Sequence, residues 1–168
     1  MFQQYFSLFL STHEGQFAIK TIMCVIAGFL IWQERQSRGK NAWVTTFTFV
    51  ITGAMLFTFL SEQIDPASTS RIAAQIVSGI WFLGAGLIFI DDNKVKNLTT
   101  AAGIWFAGAI GMAIGFDYYG VALIATILAR LAPKSTDAIT SRMPKRTKTR
   151  KKATIKESGK EEPYPIDR

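Results

Sequence analysis

Three long stretches of this chain contain no charged residue: Trp43 to Leu60, Ile72 to Ile90 and Leu98 to Phe116. Each approaches the roughly 20 residues that carry an α-helix across ~30 Å of hydrocarbon at ~1.5 Å per residue. A soluble core of this size has no use for three such runs. The composition makes the same point, because the chain is 49% hydrophobic and yet carries a net charge of +7. Both are met only if charge is segregated, and the basic residues do concentrate after Pro133. The expected fold class is therefore an all-α integral membrane protein, a five-transmembrane-helix bundle with a disordered basic C-terminal tail.

The first span is expected over Phe17–Gln33, with Lys20 as its one charge, and the next three over Trp43–Leu60, Ile72–Ile90 and Leu98–Phe116. The fifth, Tyr118–Ala132, is short and must lean on flanking residues or on local thinning to cross. Three domains follow: residues 1–16 as an extracytoplasmic segment, 17–132 as the membrane domain and 133–168 as the tail. Orientation comes from loop charge. Arg35, Arg38 and Lys40 lie between spans one and two, Lys94 and Lys96 between three and four, and Arg142 and Lys145 to Lys152 after five. The opposite ends are poor in basic residues, so the N-terminus is placed outside and the tail in the cytoplasm. That arrangement requires an odd number of spans. The N-terminus lacks the basic start of a cleaved signal.

At ~100° per residue, Lys20, Cys24, Ala27, Ile31 and Glu34 share one stripe of span one, a cation and an anion at its two ends. In span three, Arg71, Gln75, Ser78 and Phe82 make a second stripe. Polar groups at that depth are expected to face protein or water, either as interhelical glue or around a polar pocket shared with Asp65 and Lys20. Gly28, Gly79, Gly84, Gly86, Gly103, Gly111 and Gly115 are expected at helix contacts, where small residues let backbones approach. Turns are expected at Asp65-Pro66 and Asp91-Asp92-Asn93, with capping by Ser68 to Ser70 and by Thr99 or Thr100.

Enzymatic signatures are missing. There is no phosphate loop, HExxH, CxxC or nucleophilic triad, so no catalysis, metal or cofactor is expected. Cys24 reads as apolar filler and His13 as solvent-facing. The tail can dock on anionic lipid at about 1 kcal/mol per basic residue, and no folded reader of nucleic acid accompanies it.

The segment SRIAAQIVSGIWFLGAG from Ser70 to Gly86, the run Leu98-Thr99-Thr100-Ala101-Ala102 with Trp105, and Gly28 to Ile31 with Glu34-Arg35 resemble the membrane domain of the MgtC/SapB family. The resemblance runs from Lys20 to about Tyr119. It implies a bacterial inner-membrane protein tied to growth under magnesium limitation and to virulence. It implies regulation of other membrane proteins, notably the F-type ATP synthase, with magnesium or small-solute transport through the polar face of spans one and three as the alternative. Trp32, Trp43 and Trp81 stand where the family has glycines, and Thr45 where it has arginine, leaving Arg35, Arg38 or Lys40 to partner Glu34. The C-terminal ACT-like domain of the family's larger members is not expected in the residues that follow Pro133. Membrane lipids, a membrane protein and a second copy of the chain are the partners in view.

Overall fold

The computed structural model describes residues 3, 8–37, 44–91 and 94–142, the last stretch with side chains to residue 133. Five long helices carry the fold: α1 (His13–Ser37), α2 (Val44–Ile64), α3 (Thr69–Gly86), α4 (Leu98–Gly115) and α5 (Tyr119–Arg142). Three of them, α1, α2 and α4, are long and apolar enough to cross a membrane, and Tyr119–Pro133 is a shorter apolar helix. Helix α3 is less apolar, because it begins before the expected span and includes Arg71 as well as Gln75.

Helix α2 packs against α1, α3 and α4, and α4 packs also on α3. The core is a column of Cys24, Ala27 and Ile31 from α1, Phe47, Ile51 and Met55 from α2, and Ile104, Ala107, Ile110 and Ile114 from α4. Close approach is what the glycines supply. A Cβ on Gly28 would stand 2.9 Å from the Thr48 Cα, and one on Gly111 would stand 2.9 Å from the Ala54 Cβ. One on Gly115 would meet the Thr58 Cβ at 2.5 Å, so α1 and α4 lie against the backbone of α2. Gly84 and Gly103 also sit at contacts, against Ala101 and Arg35. Gly79 and Gly86 do not; nothing lies within 4 Å of where their Cβ atoms would be. Gly108, which the sequence reading passed over, abuts Ile80 and seats α4 on α3.

Several expectations change. The fold is mostly helical rather than wholly so, because span three stops at Gly86 and its expected last turn is a strand. Phe89–Asp91 (β1) pairs antiparallel with Lys94–Lys96 (β2), setting Ile90 opposite Val95. Two glycines, Gly84 and Gly86, weaken the helix there, while Ile88, Ile90 and Val95 favour the extended chain. The expected side-chain caps do not form: Ser68 precedes α3 and Asn97 precedes α4, neither making a capping hydrogen bond. Asn97 takes φ 60° and donates through its amide to the Leu87 carbonyl, closing the hairpin onto the end of α3. Asp65-Pro66 makes the expected turn, with the Ser68 N–H donating to the Asp65 carbonyl. Helix α5 runs through Pro133 to Arg142, past the expected end at Ala132. The remaining tail residues, 143–168, lie outside the described residues, as do Arg38, Lys40 and Trp43.

Candidate functional site

The α1 stripe is buried along its length, as its spacing predicts: Lys20, Cys24, Ala27, Ile31 and Glu34 all face the core. Its two ends hold the most unusual chemistry in the bundle. Lys20 and Glu34 are roughly 21 Å apart along the axis at ~1.5 Å per residue, so they are separate centres.

At the Lys20 end, the chain leaves α4 through a Schellman turn. The Tyr118 N–H donates to the Ala113 carbonyl and the Asp117 N–H to the Ile114 carbonyl, with Asp117 at φ 61°. Asp is one of the few residues other than glycine that enter this left-handed region readily. The turn satisfies those carbonyls and leaves that of Gly115. Lys20, only 2% exposed, donates its Nζ to that carbonyl at 2.6 Å and stands 3.0 Å from Asp117 Oδ1. A cation at a helix C-terminus also meets the negative end of the α4 dipole. The Phe59 ring lies 5.0 Å from Nζ and the Tyr119 hydroxyl donates to Asp117. Partial burial raises the Asp117 pKa, but the hydrogen bonds from Tyr119 and Lys20 and the Lys20 charge outweigh it. Asp117 is therefore held below the ordinary carboxylate range.

At the other end, Arg35 is buried beside Glu34 in sequence and donates to the Thr100 hydroxyl at 2.6 Å. Its guanidinium carbon lies 5.2 Å from the centre of the Phe47 ring, and Gly103 leaves the room that its head occupies. Thr100 thus ties α4 to α1 rather than capping its own helix, and Thr99 is exposed. Of the residues where the sequence departs from the family pattern, Thr45 is exposed at the start of α2 and Trp32 lies tilted against Phe29, with ring centres 5.5 Å apart.

The structure does not gather the other predicted polar residues around Lys20. Asp65, Arg71, Gln75 and Ser78 are all exposed. Helix α3 meets the bundle through Ile76, Ile80 and Gly84, an apolar stripe at spacing four, which turns Gln75 and Ser78 outward. The expected polar pocket is replaced by a surface groove of about 520 Å³ between α2 and α3 with almost wholly apolar walls, including Phe57, Ile72 and Leu83. Trp81 is 65% exposed, so no neighbour has to make room for it.

Asp117 and Gly108 are the residues that the sequence reading missed. Asp117 had a signal: it is the first carboxylate after span four, at the membrane level of Lys20 once the spans are drawn antiparallel. Among the described residues no group of three or more His, Cys, Asp or Glu could hold a metal ion. What the two centres do is lock helices: α1 to the α4–α5 turn at one end, and α1 to the start of α4 at the other.

Comparison with known proteins gives a consistent answer. Residues 22–141 match the MgtC family. YhiD of Escherichia coli K12, named as a candidate magnesium transporter, is 36% identical over 77% of this chain and 64% of its own length. Protein MgtC of Salmonella typhimurium LT2 is 42% identical over 67% of this chain and 48% of its own. Protein MgtC of Brucella abortus is 43% identical over 61% and 43% of the two chains. The chain thus spans between 43% and 64% of the length of these relatives. No solved structure matches it.

Proposed function

This chain belongs to the MgtC family, and from that premise we propose that it is a non-enzymatic regulator in the bacterial inner membrane. It acts under magnesium limitation by helix–helix contact with another membrane protein, and the resemblance points to the F-type ATP synthase as that partner. Its role in pathogens is survival inside host cells. In this reading five helices span, the N-terminus lies outside and the basic tail in the cytoplasm, in keeping with the loop charges.

The observation that carries the regulator reading is the closed packing of α1, α2 and α4. Backbones touch at Gly28, Gly111 and Gly115, and the Lys20 ammonium is already bound by the Gly115 carbonyl and Asp117. A carrier needs polar room at mid-bilayer, and the polar stripe of α3, Arg71, Gln75 and Ser78, faces outward. The second reading, magnesium transport, is favoured by the name of the relative YhiD.

Deletion of the gene should impair growth at limiting magnesium, with rescue by the wild type. Purified protein in sealed vesicles should show no magnesium flux above protein-free vesicles, and crosslinking in cells should recover a specific membrane partner. Flux that Gln75→Leu abolishes without loss of folded protein would overturn the regulator reading in favour of transport.

A further inference from the structure

The outward face of α3 is wrong for lipid. Arg71, Gln75 and Ser78 stack down it at spacings of four and three, all exposed, and their side chains make no hydrogen bond among the described residues. Gln75 lies roughly 9 Å and Ser78 roughly 13 Å along the helix from Thr69 at ~1.5 Å per residue. On the reading that α3 spans the membrane, those depths put an amide and a hydroxyl into hydrocarbon with no partner, which lipid cannot supply. Trp81 and Phe82 beside them are suited to an apolar contact, and both are exposed.

We propose that this face is a homodimer interface, in which α3 of one copy packs against α3 of a second copy about a two-fold axis along the membrane normal. The symmetry is what selects a second copy as the occupant. Copies inserted in the same orientation can meet only with like depths opposed, so Gln75 faces its own equivalent and Ser78 likewise. A primary amide and a hydroxyl each donate and accept, so both pairs are self-complementary, as a pair of like charges at these depths would not be. Arg71 in the first turn of α3 and Asp65 in the loop before it are both exposed, so each copy presents at this end both the cation and the anion that the other requires. Close approach is available as well: Ala74 and Ser78 are small residues four apart, and Gly79 is open. The groove of about 520 Å³ between α2 and α3, bordered by Gln75 and floored by Gly53 and Gly79, then receives a large apolar side chain. Phe82 of the second copy, on the same stripe, is placed to enter it.

The test uses the full chain in native membranes, in a Cys24→Ser background that removes the only cysteine. Gln75→Cys and Ser78→Cys should form disulfide-linked dimers on mild oxidation, and Leu128→Cys on α5 should not. Energy transfer between labelled copies should show Gln75→Leu weakening association about 3- to 30-fold, with Gln75→Asn close to the wild type. Crosslinking at 128 but not at 75 or 78, crosslinking of 75 or 78 only to a different protein, or unchanged association in Gln75→Leu would each overturn the dimer. Labelling of Ser78→Cys by a membrane-impermeant maleimide would show instead that α3 does not span. An unlabelled and uncrosslinked Ser78→Cys would remove the interface and leave the span standing.

Discussion

Replacing Lys20 with Met separates two interactions that the structure superimposes on one ammonium group. Met fills nearly the same volume, so little cavity is expected and the cost is electrostatic. The hydrogen bond to the Gly115 carbonyl is buried, at 2.6 Å, and removing a charged donor from a buried acceptor costs about 1–3 kcal/mol. The contact with Asp117 contributes less, because that carboxylate is 57% exposed and solvent screens it; ~0.2–1 kcal/mol is the scale for such a pair. Lys20→Met should therefore destabilise by about 1–4 kcal/mol, and Asp117→Asn by less than about 1 kcal/mol. A double-mutant cycle of the two should return a coupling below about 1 kcal/mol. The assay is reversible unfolding in bicelles, or thermal loss of the monodisperse peak in mild detergent. Lys20→Arg keeps a donor and should fall between Lys20→Met and the wild type. Lys20→Met as stable as the wild type would refute the reasoning. So would a coupling above about 2 kcal/mol, which would make Asp117 rather than the helix terminus the main partner.

The Asp117 carboxyl titrates lower in the folded protein than its unfolded value of about 3.9, so the ion pair stabilises fully above that value and is lost as pH falls through the folded pKa. Stability of the wild type should be level from about pH 5 to 8 and decline only below about pH 4, and Asp117→Asn should flatten that acid limb. Asp117→Gly relieves the left-handed backbone that Asp117→Ala would strain, so in thermal scans the alanine variant should be less stable by about 1 kcal/mol. Gly111→Leu drives a side chain into the α2 backbone and should abolish folded protein by size exclusion, whereas Gly79→Leu, with open space around it, should fold normally. Trp81→Gly should change stability by less than about 0.5 kcal/mol beyond the helix propensity of glycine, measured by the same unfolding assay.

Much of this protein is determined by the order of its residues alone. Two of the three charge-free runs become membrane-length helices, α2 and α4, because nothing but intrachain hydrogen bonding satisfies a backbone in hydrocarbon, while the third stops at Gly86 and ends in a strand. The α1 stripe from Lys20 to Glu34 is likewise set locally, since helical periodicity fixes which residues share a face before any neighbour is known. Gly111 and Gly115 announce a close contact in the same way.

Which face of α3 would turn inward was beyond local reasoning. Ile76, Ile80 and Gly84 compete with Arg71, Gln75 and Ser78 for the same neighbour, and the outcome rests on how well Ile80 seats against Gly108, a contact between residues distant in the chain. The partner of Lys20 was decided in the same manner. Drawing the expected spans antiparallel offers both Asp65 and Asp117 to Lys20, and only the Schellman turn after α4 carries one of them, together with a spare carbonyl, to the ammonium. Periodicity assigns faces; the packing of one helix on another decides which face is used.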